Sequence, residues 1–308
     1  MGDISKAKSD VIIIGGGPAG LSALLWCADL GLHPILIEKA PETGGQLLSI
    51  YNKITNYPGL LCENGRDLRD RFMESLAGVE YSRILDAEVK EIDVEAKRVE
   101  LADGREIEAQ ALIIATGVRR RKLGVEGEHK FAGKGILESG AKDPSLAAGK
   151  RVAVIGGGDA ALESALLFSQ FAEKVFLIHR GDMPSARSEF IDEALAHHRI
   201  EYRPNTIIHA FRGGDRLEKL ELEKTLGKSK SLEVQLALVR IGVLPNTDLV
   251  KKKLELDKEG YIVVNNRYET SVGGIFAIGD VANPTAPTIS TATGTAAIAV
   301  KQLVRFTL

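Results

Sequence analysis

A glycine-rich segment that could bind a pyrophosphate group occurs twice in this chain. The copies are Gly15-Gly16-Gly17-Pro18-Ala19-Gly20 and Gly156-Gly157-Gly158-Asp159-Ala160-Ala161. Each follows an aliphatic run and leads into a helix-like pattern, so backbone N–H groups and the positive end of a helix would face the phosphates. The first glycine permits a tight turn, the second lets the phosphates approach, and the third position lets helix and strand pack closely. Two copies indicate two dinucleotides and electron transfer between them.

The residues at the ribose end differ between the two copies. In the first, an aliphatic strand at 34–37 ends at Glu38-Lys39, and a carboxylate about twenty residues beyond the glycines suits an unphosphorylated ribose. In the second, the strand at 175–178 ends at His179-Arg180, and an arginine suits a 2′-phosphate. The sequence therefore predicts FAD in the first site and NADPH in the second, with NADH as an alternative.

Alternating strand and helix patterns must position these residues. Strands are predicted at 11–14 and 152–155, and the helices after the two glycine turns at 21–30 and 162–171. Further predicted elements are a helix at 65–77, strands at 87–93, 98–101, 111–117, 237–242 and 274–280, a hairpin insertion around 207–237 and a final helix from about 294 to 306. The predicted fold class is α/β, with two Rossmann-like three-layer (ββα) dinucleotide-binding domains.

Composition excludes several classes of protein. The 308 residues are 44% hydrophobic, which suffices for full cores, and the net charge of −2 gives no electrostatic case for nucleic acid binding. The sequence contains no apolar run of membrane-spanning length and no secretion signal at its start. Cys27 and Cys62 are the two cysteines, so a disulfide scaffold is not expected. We expect a soluble cytoplasmic protein without a membrane partner.

Ordered motifs give the chain a family resemblance. Besides the two glycine segments and His179-Arg180, they are Gly44-Gly45-Gln46-Leu47, Asn56-Tyr57-Pro58-Gly59, Ala115-Thr116-Gly117 and Gly279-Asp280. In this order they resemble the low-molecular-weight thioredoxin reductases over nearly the whole chain. The resemblance implies a homodimer and an FAD-binding domain made of residues 1–118 and 246–308. It also implies an NAD(P)H-binding domain, residues 119–245, inserted into the first.

The resemblance also assigns roles to individual residues. It implies that the final helix begins near Thr295 and Ala296 and faces the pyrimidine end of the flavin, and that Asp280 binds the ribityl and phosphate region. Glu163, one turn into the second glycine-turn helix, would orient the nicotinamide or be a solvated helix residue. The cofactor-binding residues expected for FAD are Gly15, Gly17, Pro18, Ala19, Gly20, Glu38, Lys39, Gly45, Gln46, Asn56, Thr116, Gly117, Gly279, Asp280, Thr295 and Ala296. Those expected for the nicotinamide dinucleotide are Gly156, Gly158, Asp159, Ala160, Glu163, His179, Arg180 and Arg187.

The sequence departs from the family at two places. The stretch 135–141, where the family has Cys-x-x-Cys, holds no cysteine, and thiol–disulfide exchange needs an attacking and a resolving thiol. Cys27 is expected to be buried in a helix and Cys62 to lie in a loop, exposed. In the 2′-phosphate motif, Gly181 and Ser185 stand where the family has arginines, and Arg187 is the nearest candidate to replace them.

The leading functional prediction is an FAD-dependent NAD(P)H oxidoreductase that passes electrons from the flavin to an external acceptor. No catalytic side chain and no metal ligand are predicted, because the protein only aligns the cofactors for hydride transfer. Related flavoproteins without the dithiol resemble ferredoxin/flavodoxin–NADP reductases, and this resemblance makes ferredoxin or flavodoxin the leading protein acceptor. The basic runs 119–122 and 251–253 are candidate docking residues for such acidic partners. A small molecule, a quinone, oxygen or an external disulfide stays open as acceptor. Two alternatives remain, a flavin-binding regulatory protein without turnover and a second flavin in the second site.

Overall fold

The computed structural model describes residues 9–224 and 229–307. The chain forms two compact units, Met1–Arg119 with Leu244–Leu308, and Arg120–Val243. The boundaries expected from the sequence were 118/119 and 245/246. We call Met1–Arg119 with Leu244–Leu308 the first unit and Arg120–Val243 the second unit.

The elements follow one another in the same pattern in both units. In chain order they are β1 (Ser9–Ile14), α1 (Pro18–Asp29), β2 (Pro34–Ile37), α2 (Gly65–Ser75), β3 (Ser82–Ile84), β4 (Val89–Asp93), β5 (Arg98–Leu101), β6 (Glu106–Ile114), β7 (Val118–Arg120), β8 (Ile136–Leu137), β9 (Arg151–Ile155), α3 (Asp159–Ser169), β10 (Lys174–Ile178), α4 (Ser188–Ala196), β11 (Ile200–Arg203), β12 (Thr206–Arg212), β13 (Lys219–Lys224), β14 (Ser229–Glu233), β15 (Leu236–Val239), β16 (Val243–Pro245), β17 (Ile275–Ala277) and α5 (Ile289–Thr307).

The first unit is built on a parallel sheet whose strands run in the order β3-β2-β1-β6, with β17 on the far side of β6. Strands β4 and β5 continue from β6 as an antiparallel layer. Along β1, Val11 and Ile13 pack with residues of α1 and α5, while Ile12 and Ile14 pack with residues of β4 and β5. Because β1 is buried on both faces, its sequence is an unbroken aliphatic run.

The second unit repeats this arrangement around β9. Its parallel sheet has the order β11-β10-β9-β15-β8, and β12, β13 and β14 form a separate antiparallel sheet. Val152 and Val154 pack with α3, and Ala153 and Ile155 pack with the antiparallel sheet. Both units therefore have the helix, parallel-sheet and antiparallel-sheet layers that the sequence predicted. No helix among residues 9–224 and 229–307 is long and apolar enough to cross a membrane.

The main difference from the sequence prediction is the start of the last helix. The glycine at 294 suggested a start near 294, but α5 begins at Ile289. Thr288 and Thr291 cap it reciprocally: Thr288 Oγ1 accepts from the Thr291 amide at 3.1 Å, and Thr291 Oγ1 accepts from the Thr288 amide at 3.2 Å. This side-chain cap satisfies amides of the first turn. Thr295 and Ala296 are therefore inside the helix, not at its N-terminus.

Candidate functional site

The turn between β1 and α1 has a geometry that glycine alone allows. Gly15 has φ +107°, and a Cβ on it would lie 2.4 Å from the carbonyl oxygen of Ala115. A Cβ on Gly20 would lie 1.9 Å from the carbonyl oxygen of Gly15, so α1 packs directly on the turn. The first and third glycines are thus fixed by packing within the fold.

The middle of this turn is open. The nearest atom to a Cβ on Gly17 would be the Gly45 Cα at 4.0 Å. Gly17 is the N-cap of α1, no side chain caps the helix, and Pro18 and Ala19 follow in its first turn. Uncapped amides at the start of a helix are an anion-binding arrangement.

Glu38 connects this turn to the end of β2. Its Oε2 accepts a hydrogen bond from the Gly16 amide at 2.6 Å, and its Oε1 accepts one from the Ala40 amide at 2.8 Å. Lys39 pairs with Glu88 at 2.6 Å. A cavity of about 420 Å³ begins at the turn and is lined by Ile14, Gly15, Ile37, Glu38, Lys39, Ala87, Glu88, Val89, Thr116, Asn246, Asp248 and Leu249. Its volume is within the range of small-molecule sites.

Asn246 closes one side of this cavity and was missed from the sequence. Its Nδ2 donates to the Thr116 carbonyl at 2.8 Å, and Thr116 Oγ1 donates to the Asn246 carbonyl at 2.8 Å. The Asn246 amide also donates to the carbonyl of Gly117 at 3.0 Å. These bonds hold the Thr116-Gly117 turn at the end of β6. The position of Asn246, immediately after the expected return into the first unit, was the available signal.

The Gly44-Gly45-Gln46 segment packs against the first glycine turn. The Gly44 amide donates to the Gly16 carbonyl at 2.7 Å, and a Cβ on Gly45 would lie 2.9 Å from the Gly17 Cα. Gln46 Nε2 donates to the Val118 carbonyl at 2.6 Å. Asn56 is exposed in the loop before α2. The first two contacts place this segment beside the uncapped start of α1.

Asp280 follows β17, and the preceding residue, Gly279, packs against the first turn of α1. A Cβ on Gly279 would lie 2.8 Å from the Ala19 Cβ, and the Gly279 amide donates to Thr295 Oγ1 at 3.0 Å. Burial raises the pKa of Asp280 above its ordinary value. Its carboxylate has no hydrogen-bond or ion-pair partner in the described parts of the chain. A half-buried carboxylate of this kind can accept hydroxyl donors from a ligand.

The second unit repeats the glycine turn between β9 and α3. Gly156 has φ +148°, and a Cβ on it would lie 2.1 Å from the Arg240 carbonyl oxygen. Gly158 is the N-cap of α3 with no side-chain cap, and nothing lies within 4 Å of a Cβ built on it. Ala160 is exposed in the first turn and Ala161 is buried. The second turn therefore also presents an accessible helix start.

Two charged residues meet at this helix start. Asp159 Oδ1 accepts from the Arg187 amide and Oδ2 accepts from Arg187 Nε, both at 2.8 Å. These bonds, the amide bond first, lower the pKa of Asp159. Arg187, the residue proposed to replace the family arginines, is thus bound to Asp159.

His179, after β10, packs against two glycines. A Cβ on Gly157 would lie 2.4 Å from His179 Nδ1, and one on Gly181 would lie 2.9 Å from His179 Nε2. The imidazole therefore fills the space that these glycines leave. Arg180 and Glu163 are both exposed.

Comparison with known proteins decides the family. The sequence profile of the family described as pyridine nucleotide-disulphide oxidoreductase matches residues 9–302. The chain belongs to this family.

Relatives and solved structures agree with this assignment. The oxidoreductase is 33% identical to the thioredoxin reductase of Listeria innocua over 94% of this chain and 91% of the relative. It is 32% identical to the "34.2 kDa protein in rubredoxin operon" of Clostridium pasteurianum over 96% of each. The crystal structure of Lactococcus lactis thioredoxin reductase in the FR conformation has a TM-score of 0.86 and 28% identity, covering 97% of this chain and 99% of that one. The predicted fold class is confirmed.

The two cysteines of this pyridine nucleotide-disulphide oxidoreductase are both free and buried. Burial, with the nearby Asp10 carboxylate, raises the pKa of Cys27 to about 12. Cys62 was expected to be exposed, but it bridges Ile54 in an antiparallel pair and packs with Leu47 and Leu68. Cys62 does lie outside the named strands and helices, as expected, but its segment folds back on itself and this pairing buries the thiol. Neither thiol has the accessible, low-pKa character of a reactive cysteine.

The stretch 135–141 of this oxidoreductase is held by contacts that involve no cysteine. Arg240 Nη2 donates to the Glu138 carbonyl at 3.1 Å, and the Ala141 amide donates to Ser139 Oγ at 3.3 Å. A Cβ on Gly140 would lie 3.0 Å from the Phe168 ring, so a larger residue would displace that ring.

Proposed function

We propose that this chain is an FAD-dependent NAD(P)H oxidoreductase that passes electrons to an acceptor outside the chain. The observation that carries the proposal is the first site, where an uncapped helix start, a carboxylate at the end of β2 and an adjoining cavity occur together. The second unit repeats the turn with different ribose-end residues. Family membership supports an oxidoreductase that uses a pyridine nucleotide.

The residues of the first unit fit FAD. Gly15, Gly17 and the free amides in the first turn of α1, which begins at Pro18, would surround the pyrophosphate. Glu38 would bind the adenosine ribose in the cavity. The unpartnered carboxylate of Asp280 would accept hydroxyl hydrogen bonds from the ribityl chain. The remaining residues proposed to contact FAD are Ala19, Gly20, Lys39, Gly45, Gln46, Asn56, Thr116, Gly117, Gly279, Thr295 and Ala296, the last two from within α5.

The residues of the second unit fit a nicotinamide dinucleotide. Gly156, Gly158, Asp159 and Ala160 would border its pyrophosphate, and His179 and Arg180 its adenosine ribose. Glu163, exposed on α3, would orient the nicotinamide.

When bound, FAD would supply the redox chemistry, which is the uptake of a hydride from a reduced nicotinamide and the transfer of two electrons to an acceptor. NAD(P)H is oxidised to NAD(P)⁺, and two molecules of a one-electron acceptor or one molecule of a two-electron acceptor are reduced. The chain's own residues bind and align the two dinucleotides, and none has to exchange a proton for hydride transfer.

We further propose that electrons leave without an internal dithiol. Support comes from the sequence, in which Cys27 and Cys62 are far from the 135–141 stretch, and from the burial of both thiols. Reduction of thioredoxin through a dithiol is therefore disfavoured. A homodimer remains the proposed assembly on the basis of family resemblance.

Ferredoxin or flavodoxin is the leading proposed acceptor, because both are acidic and basic side chains are available. Arg119 is already paired with Asp248, and Lys253 with Glu91. Within these two basic runs, the exposed cations that have no ion pair among residues 9–224 and 229–307 are Arg120, Arg121 and Lys122 in the second unit, and Lys251 and Lys252 in the first. These five residues are the ones to test for docking.

Stopped-flow absorbance of the FAD-loaded protein tests the proposal. Mixing with NADPH or NADH should bleach the flavin band near ~450 nm rapidly, and an acceptor panel should then restore it. A flavin that stays oxidised with both nicotinamides would support a regulatory flavoprotein. Two flavins per chain after denaturation would support a second flavin in the second site.

A cysteine-free variant isolates the electron route. Cys27→Ala with Cys62→Ala should reduce the preferred acceptor at the rate of the parent protein, because neither thiol is proposed to carry electrons. Loss of acceptor reduction with unchanged flavin bleaching would overturn the dithiol-free route. Ferredoxin, flavodoxin, thioredoxin, quinones and oxygen form the panel.

A further inference from the structure

The charges at the end of β10 bear on which nicotinamide dinucleotide the second site selects. This inference rests on the proposed function, in which that end of the strand meets the adenosine ribose. A 2′-phosphate carries about −1.5 to −2 charge near neutral pH and is held by arginine forks. The number of arginines free to form such forks should therefore set the preference for NADPH.

Arg187 is not free. Its backbone amide and Nε are both bound by the Asp159 carboxylate at 2.8 Å, and its guanidinium lies 4.4 Å from the centre of the Phe190 ring. Recruiting it to a phosphate would break the ion pair and leave the Asp159 charge at the helix start.

Arg203, at the end of the neighbouring strand β11, is also engaged. Its Nη2 lies 2.8 Å from Glu201 Oε1, and its guanidinium stacks 4.8 Å from the centre of the Phe176 ring. The Arg203–Glu201 ion pair is adjacent to the end of β10, because Arg203 is in register with Ile178.

Of Arg180, Arg187 and Arg203, only Arg180 has no ion pair within the described residues, and an aspartate is close to it in sequence. Asp182, two positions later, accepts a hydrogen bond from Asn205 Nδ2 at 3.2 Å and has no cation partner within 9–224 and 229–307. Three arginines and three acids thus cancel in formal charge: Arg180, Arg187, Arg203, Asp159, Asp182 and Glu201. Gly181 and Ser185 add no charge.

We propose that the second site accepts NADH as readily as NADPH. One unpaired arginine beside an aspartate cannot form the paired forks that a 2′-phosphate needs. The His179 imidazole, packed against Gly157 where Glu38 meets Gly16 in the first unit, supplies a hydrogen-bonding group for ribose hydroxyls.

Steady-state and binding measurements on the FAD-loaded protein test this. The kcat/KM values for NADPH and NADH should differ by less than about tenfold, and calorimetric titration should give similar affinities for AMP and adenosine 2′,5′-bisphosphate, which differ only in the 2′-phosphate. A preference of tenfold or more for the 2′-phosphorylated ligand in either measurement overturns the inference. If neither nicotinamide reduces the flavin, the proposed function fails, while the titration still tests the charge argument.

A gain-of-charge variant adds a second test. Ser185 is exposed, and its hydroxyl lies 3.5 Å from the Gly157 carbonyl, so an arginine fits without displacing a core contact. Ser185→Arg should raise the NADPH/NADH ratio of kcat/KM by about tenfold, since it adds one charged fork for the 2′-phosphate. Ser185→Gln, long but uncharged, is the matched control and should leave the ratio unchanged. Equal ratios for both variants would contradict the inference.

Discussion

Glu38 Oε2 accepts a hydrogen bond from the amide of Gly16 at 2.6 Å, which ties the end of β2 to the glycine turn after β1. In the second unit His179 has the corresponding place after β10, with its Nδ1 only 2.4 Å from where a Cβ of Gly157 would lie. The same backbone arrangement therefore presents a carboxylate after β2 and an imidazole after β10. The two sites are related in geometry and different in chemistry.

Glu38→Ala should weaken the retention of FAD. The substitution removes the proposed ribose partner and the acceptor of two backbone amides, Gly16 and Ala40. We expect the dissociation constant for FAD to rise by about tenfold or more, because a lost hydrogen bond to a charged group costs about 1.5–3 kcal/mol. The ratio of flavin to protein absorbance after extensive dialysis measures this. Glu38→Gln, which keeps an acceptor oxygen, should lose less flavin; full occupancy in the alanine variant would remove the ribose role.

Gly17→Ala and Gly20→Ala should separate binding from folding. A Cβ on Gly17 meets nothing closer than 4.0 Å, whereas one on Gly20 would lie 1.9 Å from a backbone oxygen. Gly17→Ala should therefore keep the melting temperature of the flavin-free protein and lose FAD affinity, because its methyl group blocks the pyrophosphate. Gly20→Ala should lower that melting temperature by several degrees, about 2–4 °C for each kcal/mol lost.

Thermal unfolding of the flavin-free variants, followed by FAD titration, checks both expectations. Gly158→Ala is the matched variant in the second unit, where a Cβ also meets nothing within 4 Å. It should leave FAD binding intact and lower the affinity for the nicotinamide dinucleotide. Unchanged FAD affinity in Gly17→Ala would argue against a pyrophosphate at the first turn.

Arg180→Ala should affect NADPH more than NADH. Arg180 is exposed and free of ion pairs within 9–224 and 229–307, whereas Arg187 is bound to Asp159. We expect the KM for NADPH to rise by about tenfold, the loss of one charged contact, and the KM for NADH to change by less than about twofold. Initial rates at varied nicotinamide concentration measure both values. Equal increases for the two dinucleotides would mean that Arg180 does not face the 2′ position.

Asp280→Asn should stabilise the flavin-free protein at neutral pH. Burial raises the pKa of Asp280 in the folded chain above its ordinary value of 3.8, so the folded state prefers the neutral acid. Ionisation therefore costs stability as the pH rises from 3.8 through the raised folded pKa. The asparagine variant avoids this cost and should melt at a higher temperature than the parent at pH 7.

The pH dependence supplies the control for this variant. The difference in melting temperature should vanish as the pH falls below 3.8, where the parent carboxyl becomes neutral in both states. FAD affinity should fall in the same variant, because asparagine accepts fewer hydrogen bonds than a carboxylate. A variant less stable than the parent at pH 7 would indicate that Asp280 has a stabilising partner.

Periodic and glycine patterns predicted the layers because they report backbone requirements that act locally. The aliphatic runs at β1 and β9 can only be strands buried on both faces, and the glycines after them mark turns in which a Cβ would collide with a neighbouring strand. The helices after both turns begin three residues earlier than predicted, at Pro18 and Asp159, because hydrophobic periodicity does not register the first turn of a helix.

Contacts between distant segments were not predictable in this way. The burial of Cys62 depends on its pairing with Ile54, and the role of Asn246 depends on two hydrogen bonds to Thr116, 130 positions away. The start of α5 was missed because Thr288 and Thr291 cap it without an acidic residue that would mark the cap. The binding of Arg187 by Asp159 likewise joins positions that are 28 apart in sequence.

The third position of each glycine turn has a consequence for engineering. Gly20 has no room for a methyl group, whereas Ala161 carries one, and the Ala161 methyl lies 3.0 Å from where a Cβ of Gly156 would be. The two units therefore differ by one methyl group at the third position of the glycine turn. A chimera with the 156–161 segment at positions 15–20 would place a methyl group against the turn and push α1 away from β1. The two glycine segments therefore cannot be exchanged.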